Sequence, residues 1–588
     1  MTPTWSPHGI DRLLGEMTLA EKIGQMTQVD KGSITPAEVA DHGIGSVLSG
    51  GGGNPPGNDP HAWADMVGSF VEGAAASRLG VPLLYGVDAV HGHNNVVGAT
   101  IFPHNIGLGA AGDVDLVRRI GRATALEMAA TGVRWTFAPT VAVPRDIRWG
   151  RTYEGYGRDP ELVGALGAGL VDGLRDRSPG HVPVLACLKH FVGDGGTQWG
   201  SVTPTEWVDW WDGWKPHWQI DQGDWVGPEA LLRDVDLRPY RAGVAAGAET
   251  VMASYSSWNG DKLHGHTYLL TDVLKREIGF EGFIVTDWMA VDQLDRNYET
   301  AVVAAINAGI DMVMVPFDFR RFIDTMTAAV AMGHILQSRI DDAVRRILTA
   351  KLSLLSDLDH AANPPLTEVG SPSHRALAAE AARRGTVLLA NDGTLPLDPS
   401  AGTILLAGQA ADDIGLQCGG WTIEWQGAAG PTTQGTTLRQ ALERFPVRVS
   451  YSAEGGFPER AGTSVGIVCV AEEPYAEGLG DRAIPTVREE DRLVFDRMRA
   501  TCDRLVLVVY SGRPLVIPEL VSAADAVVAA WLPGTEATEL PQLLLGTSDF
   551  EGRLTHPWPA TGAHLGERNG SHLYPIGHPG AGEAGPHR

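Results

Sequence analysis

The sequence predicts an α/β protein, a closed (β/α)8 TIM-like barrel followed by a doubly wound α/β sandwich domain. Three observations lead there. Between about residues 40 and 350, short apolar runs alternate with longer helix-like stretches, the rhythm of a parallel sheet with crossover helices. A Pro-rich connector, "DHAANPPLTEVGSPSHR", then interrupts the pattern. Beyond it the rhythm resumes up to about residue 560.

The strand candidates of the first region are "IGSVL", "VPLLYGVD", "RWTFAP", "VLACLKH", "TVMASY", "GFIVTD" and "IDMVMV". Their number and the length of the region favour a closed barrel over an open sheet, although these runs do not supply all eight strands. The helical pattern "SRIDDAVRRILTAKLSLL" closes the barrel, expected over residues 1–357, and residues 358–373 form the linker. In the second domain, expected over 374–560, "GTVLLAND", "TILLAG", "SVGIVCVAEE", "RLVLVVYSG" and "DAVVAAWLPG" read as strands of an open sheet. Residues 561–588 are a Gly-, His- and Pro-rich tail whose end is expected to be disordered.

Length and charge narrow the function. A chain of 588 residues can bury two substantial cores. Its 46 Lys plus Arg against 71 Asp plus Glu leave a net charge of −25, which repels phosphate backbones and anionic membranes and argues against nucleic-acid and membrane partners. The first twenty residues lack a basic head followed by an apolar core, and no run reaches the roughly 18 apolar residues of a membrane span. With four scattered cysteines (Cys187, Cys418, Cys469 and Cys502), this fits a cytoplasmic protein with reduced thiols. The "HGH" pairs His91/His93 and His264/His266 lack a third ligand at zinc spacing, and "SGGGGN" lacks the lysine of a phosphate loop. No metal and no cofactor are expected.

In a parallel barrel the site forms at the carboxyl ends of the strands, so polar residues directly after apolar runs carry the chemistry. Asp88 ends "PLLYGVD", Lys189 and His190 end "VLACLKH", Tyr255 ends "TVMASY" and Asp287 ends "GFIVTD", while Arg151 lies in the loop "RDIRWGRTYE". One such residue alone is as well explained by an ion pair or a helix cap. Convergence of several on one face points to a polar small-molecule site.

The strings "YGVDAVHGHNNVVGATIFPHNIGLG", "RDIRWGRTYEGYGRDP", "KHFVGDGG", "SYSSWNG", "FIVTDW", "GGWTIEWQG" and "EEPYAEGLGD" resemble those of family 3 glycoside hydrolases, the β-glucosidases and exo-β-glucanases. The resemblance spans most of residues 10 to 560. It implies a retaining, exo-acting β-glucosidase on a small-molecule glycoside, with Asp287 as the nucleophile and Glu472 as the proton donor from the second domain. Retention asks for two carboxyl groups about 5 to 5.5 Å apart. By the same resemblance Asp88 and Arg151 grip the hydroxyls of the terminal glucose, with Lys189, His190 and Tyr255 beside them. Trp288 and Trp425 flank the ring next to the cleaved bond, and Trp421 in the same motif joins the binding set. The family pattern has His where this chain has Glu473; in an extended segment Glu472 and Glu473 face opposite sides.

Two related activities share these motifs, β-xylosidase and β-N-acetylglucosaminidase, and a sugar-binding protein without activity is a third alternative. The acetylglucosaminidases often carry an Asp–His pair in a KHFPGHG loop, where this chain has "KHFVGDGG".

After that loop comes "EWVDWWDGWKPHW", five tryptophans in thirteen residues. Thr203 to Glu206, "TPTE", reads as a capping box with Pro204 in the first helical turn, so a short helix is expected from there to before Pro216. Trp207, Trp210, Trp211 and Trp214 would then share one face. Such a stripe packs on the barrel or on a second copy of the chain in a homo-oligomer, or, with Trp218 and Trp225 near its exit, forms an aglycone lid at the mouth of the site.

Overall fold

A computed structural model describes residues 7–203, 205, 207–208, 218–358, 363–400, 402–457, 465–563, 565–566 and 570–578. The chain forms two compact units, and neither is one continuous segment. The first takes residues 1–90, 121–142 and 167–369; the second takes 91–120, 143–166 and 370–588.

The first unit holds the eight parallel strands that the apolar runs only partly revealed. They are β1 (Thr27–Asp30), β2 (Ser46–Ser49), β3 (Leu84–Val87), β4 (Trp135–Thr136), β5 (Cys187–Phe191), β6 (Thr250–Ala253), β7 (Phe283–Val285) and β8 (Val313–Met314). One sheet runs β8-β1-β2-β3-β4 and another β7-β6-β5. Parallel bridges Trp135 to Leu185 and Val285 to Met312 join them at both edges and close the ring. Nearly every strand residue is buried, as expected of a parallel sheet covered on both faces. The strand that those runs do not contain is β1, whose sequence TQVD is mostly polar and does not stand out as an apolar run.

Local chemistry sets the helix boundaries. Thr18 with Glu21 and Thr35 with Glu38 form capping boxes at the starts of Leu19–Gln25 and Pro36–His42, and Gly43 ends the latter at φ 60°. Near the close of the ring lies Asp311, wholly buried. It accepts from the Ile284 backbone N–H at 2.8 Å and from Lys275 Nζ at 2.8 Å, and it pairs with Arg339 of the long helix Gln337–Leu358. Burial alone would raise its pKa; Lys275 and Arg339 override burial and hold the carboxyl below its ordinary range.

The second unit carries an open six-stranded sheet made of β9 (Val387–Asn391), β10 (Thr403–Ala407), β11 (Arg448–Ser452), β12 (Val465–Ala471), β13 (Arg504–Tyr510) and β14 (Ala526–Trp531). Its order is β9-β14-β13-β12-β10-β11, parallel except for β9, which runs antiparallel to β14. Leu406, Ile467, Cys469, Val506, Val508 and Val528 lie in its core. Ordered structure continues past residue 561: His572–Tyr574 pairs antiparallel with Trp558–Pro559. A three-residue strand cannot be read from a Gly/His/Pro-rich composition. All four cysteines are free and buried, and among the described residues no helix is long and apolar enough to cross a membrane.

Removing the shared carboxylate of the barrel network leaves two largely buried cations without their common partner. Asp311→Ala is therefore expected to lower the unfolding free energy by about 3–5 kcal/mol in urea titrations, and a loss under about 1 kcal/mol would rule the network out as a major support.

Candidate active site

In the first unit, the candidate site residues gather at the carboxyl ends of β3, β5, β6 and β7. Lys189 Nζ donates to Asp88 Oδ1 at 2.8 Å, and both side chains are largely buried. His190 turns to other partners: its Nδ1 lies 2.9 Å from Asp194 Oδ2 and its Nε2 3.6 Å from Asp287 Oδ2. Successive residues of a regular strand point to opposite faces. Here the register of β5 against β6 shifts between Leu188 and Phe191, so Lys189 and His190 sit in an irregular stretch that brings both to the same rim.

Asp287 is fixed through its own backbone. Its Oδ1 accepts the N–H of Trp288 at 2.7 Å, and its N–H donates to His264 Nε2 at 3.1 Å. That nitrogen must be bare to accept. Burial, helped by the charge of Lys262, pushes the His264 imidazole down to about 3 and keeps it neutral. Lys262 in turn donates to the Tyr255 carbonyl at 2.7 Å and to Gln293 Oε1 at 3.0 Å, and the Tyr255 hydroxyl donates to the Trp288 carbonyl at 2.5 Å. Tyr255 thus holds the segment that carries the carboxylate.

Trp288 is wedged between two neighbours. A Cβ at Gly50 would stand 3.0 Å from its ring, and Phe317 meets it edge-on at 5.5 Å between centroids. Phe317 is 53% exposed. Sequence reasoning missed it, although it follows the last strand run, "IDMVMV", directly enough to have been read as a rim residue. Asp194, the partner of His190, was also missed, its signal being the "GDGG" that closes the same motif.

Of the tryptophan-rich stretch, Trp210, Trp211 and Trp214 lie outside the described residues. Of the expected helix, Thr203, Thr205, Trp207 and Val208 are described and are not helical; Val208 N–H donates to the Thr205 carbonyl at 3.1 Å in a turn, and the rest of the expected helix lies outside the described residues. Trp207 is 40% exposed, donates to the Asp292 carbonyl at 2.9 Å and lies under the Arg296 guanidinium. Trp218 is buried in a cluster with Val208, Tyr255 and Ala290, and Trp225 is buried with its N–H on Asp236.

The second unit supplies its own polar cluster. Arg151 forms a two-pronged pair with Glu154 at 3.0 and 2.9 Å, and Trp421 Nε1 donates to the same carboxylate at 3.0 Å. Trp421 is buried with its indole holding Glu154, whereas Trp425 is half-buried. The remaining Arg151 nitrogen, Nη1, reaches Glu477 Oε1 at 3.3 Å. His91 packs its ring on His104 at 3.7 Å with its nitrogens facing the Phe102 and Trp421 carbonyls, which gives the first "HGH" a packing role.

The Glu472 carboxylate accepts from Arg513 Nε at 3.0 Å, from the Gly512 N–H at 3.1 Å and from the Tyr475 hydroxyl at 3.0 Å. Arg513 is wholly buried and continues to the Gly480 carbonyl at 2.7 Å. Burial keeps the Tyr475 phenol well above its ordinary range and hence a donor. Glu472, expected as the acid, thus has its carboxylate engaged by three donors of its own unit. Glu473 is 59% exposed and pairs loosely with Arg488 at 3.4 Å. Glu477, two residues past Tyr475, has a left-handed φ of 56° and a side chain 14% exposed. A non-glycine residue in that region is held there by its surroundings, a frequent mark of a working residue.

Comparison with known proteins decides the family. The glycosyl hydrolase family 3 N-terminal domain matches residues 18–350, and the C-terminal domain of the same family matches 386–580. The chain belongs to glycosyl hydrolase family 3. It is a glycoside hydrolase acting on O-glycosidic bonds. A lysosomal beta glucosidase of Dictyostelium discoideum is 31% identical across 95% of this chain and 72% of its own length. A periplasmic beta-glucosidase of Salmonella typhimurium is 29% identical over 95% and 75%. Among solved structures, an exo-1,3/1,4-beta-glucanase from a Pseudoalteromonas species superposes with a TM-score of 0.87 at 37% identity, covering 97% of this chain and 74% of that one.

If Glu472 is structural, its loss should show in stability. Glu472→Ala strands a buried guanidinium and is expected to lower the unfolding free energy by about 3–5 kcal/mol, measured by denaturant titration. A variant as stable as the parent would return Glu472 to the list of acids.

Proposed function

We propose that this glycosyl hydrolase family 3 chain is a retaining, exo-acting β-glucosidase in which Asp287 attacks the anomeric carbon and Glu477 serves as acid and then base. The observation that carries the reading is the mounting of Asp287. It is a short carboxylate at a strand end, tied through its backbone to a neutral histidine and flanked by the Lys189–Asp88 pair and His190. A nucleophile must meet the sugar at near-attack distance, and a rigid mount keeps it there without further ordering. Asp88, Lys189 and His190 then bind hydroxyls of the terminal glucose. The beta-glucosidase relatives and the exo-glucanase neighbour support glucose as the sugar. A β-xylosidase of Formosa agariphila, 28% identical over 82% of this chain and 70% of its own length, favours xylose as a second reading.

In the first step the Asp287 carboxylate forms an ester to the anomeric carbon as Glu477 protonates the departing oxygen. In the second, Glu477 takes a proton from water, whose oxygen displaces Asp287 with restored configuration. The choice of Glu477 rests on its two neighbours. Glu472 is committed to Arg513, and Glu473 is the most exposed of the three. On the leaving-group side, Trp288 with the exposed edge of Phe317 offers an aromatic platform, which suits flat or aryl aglycones.

Asp287→Gly should reduce kcat on aryl β-glucosides by several orders of magnitude with the fold intact, and azide should restore turnover as α-glucosyl azide. Activity within about tenfold of the parent would remove Asp287 from the role. Comparison of nitrophenyl β-glucoside with the β-xyloside and the β-N-acetylglucosaminide fixes the sugar. Loss of a general acid hurts most when the leaving group is poor. Glu477→Ala should therefore abolish cleavage of alkyl glucosides and leave kcat/KM on dinitrophenyl glucoside within about tenfold of the parent. Equal losses on both substrates would assign the acid elsewhere.

A further inference from the structure

Asp194 lies four residues beyond His190, buried in the turn that follows β5. Its Oδ1 accepts the Gly195 N–H at 3.1 Å and its Oδ2 faces His190 Nδ1 at 2.9 Å. A carboxylate only accepts, so Nδ1 carries hydrogen. The opposite nitrogen, Nε2, faces the Asp287 carboxylate at 3.6 Å. The imidazole therefore stands between two largely buried carboxylates, one of them the nucleophile. Buried carboxylates are tolerated where cations compensate them, and of Asp88, Asp194 and Asp287 the first pairs with Lys189 at 2.8 Å. A proton on Nε2 of His190 places a second positive charge between the other two.

We propose that Asp194 is a positioning residue that holds His190 as the imidazolium, its Nε2–H turned toward Asp287, so that the nucleophile keeps its charge and direction at neutral pH. This rests on Asp287 being the nucleophile. Two histidines then flank one carboxylate in opposite charge states. His264, pushed down to about 3 by burial and by the charge of Lys262, accepts the Asp287 N–H as a neutral ring. His190, clamped by Asp194, is charged. Titratable groups near the pair include Lys189 with Asp88 on the neighbouring rim and Tyr240 from the helix Leu237–Ala245, which meets Phe191 edge-on, which burial keeps a neutral phenol and which is also within reach of Asp236 and Cys187. When the glycosyl-enzyme ester forms, Asp287 loses its charge and the Asp194–His190 pair remains self-compensating.

The sign of the effect follows. An anion beside an imidazolium favours its charged form, so removing Asp194 lets His190 lose its proton at lower pH, and the activity that needs the charge falls as pH rises. The experiment is the pH profile of kcat/KM on 2,4-dinitrophenyl β-glucoside, whose leaving group needs no general acid, so that the alkaline limb reports His190. Asp194→Asn should move that limb down by at least about one pH unit, with about tenfold loss for each unit above it, while the acid limb stays in place. Asp194→Glu should restore most of the displacement. A uniform loss at every pH, with both limbs unmoved, would reduce Asp194 to a packing residue and overturn the proposal. Should Asp194→Asn fail to fold, 15N NMR of the imidazoles in the unaltered enzyme, with His190 assigned through His190→Gln, decides instead. A ring protonated on both nitrogens at pH 7 supports the proposal and a neutral ring overturns it. That readout is taken on free enzyme and does not depend on the chemical role of Asp287, which the azide experiment tests separately.

Discussion

Charge compensation at a buried rim is the constraint on which this molecule's chemistry depends. Three carboxylates, a lysine and a histidine stand at the carboxyl ends of parallel strands that are covered on both faces. In so enclosed a place each charge must be answered by another or by oriented donors. The pairing Lys189 to Asp88 answers one carboxylate, and backbone N–H groups answer part of the others. The closed ring makes this possible, because eight parallel strands deliver their ends to one rim without a chain terminus or an open edge intervening. Asp311 with Lys275 and Arg339 applies the same solution near the strands that carry Asp287.

The second unit solves a similar problem with one long side chain. Arg513 collects the Glu472 carboxylate and several backbone carbonyls, so the loop after β12 is organised around a guanidinium rather than an apolar core. That arrangement leaves Glu477 at the end of a tethered segment, in a backbone conformation that few side chains adopt. Arg151 and Glu154, with Trp421 locking the carboxylate, repeat the pattern a short way off. Planar guanidinium forks suit this work because they bind carboxylates at two points.

The architecture was legible in the sequence because parallel strands buried on both faces leave long apolar runs, and those runs end where the chemistry begins. Asp88, Lys189, His190, Tyr255 and Asp287 were readable for that reason, as residues placed directly after such runs. What escaped reading was decided over distance. Nothing local to "EEPYAEG" says that Glu472 will meet Arg513, forty-one residues later, so the choice among three acids could not be made from that string. The bulge in β5 and the interleaving of segments 91–120 and 143–166 with the later chain are likewise consequences of tertiary pairing. At the start of the tryptophan stretch, Trp207 is an exposed indole bonded to the distant Asp292 carbonyl, a contact that helical spacing and a capping box, both local preferences, do not foretell.

The neutral histidine under Asp287 carries one more consequence. An ordinary imidazole would take up a proton in mildly acidic surroundings and, once charged, could no longer accept the backbone N–H that anchors the carboxylate. Because burial and Lys262 hold His264 down to about 3, that anchor outlasts acid strong enough to charge every solvent-exposed histidine on the surface. Acid tolerance is thereby built into the footing of Asp287, independently of whatever sets the pH range over which the enzyme turns over.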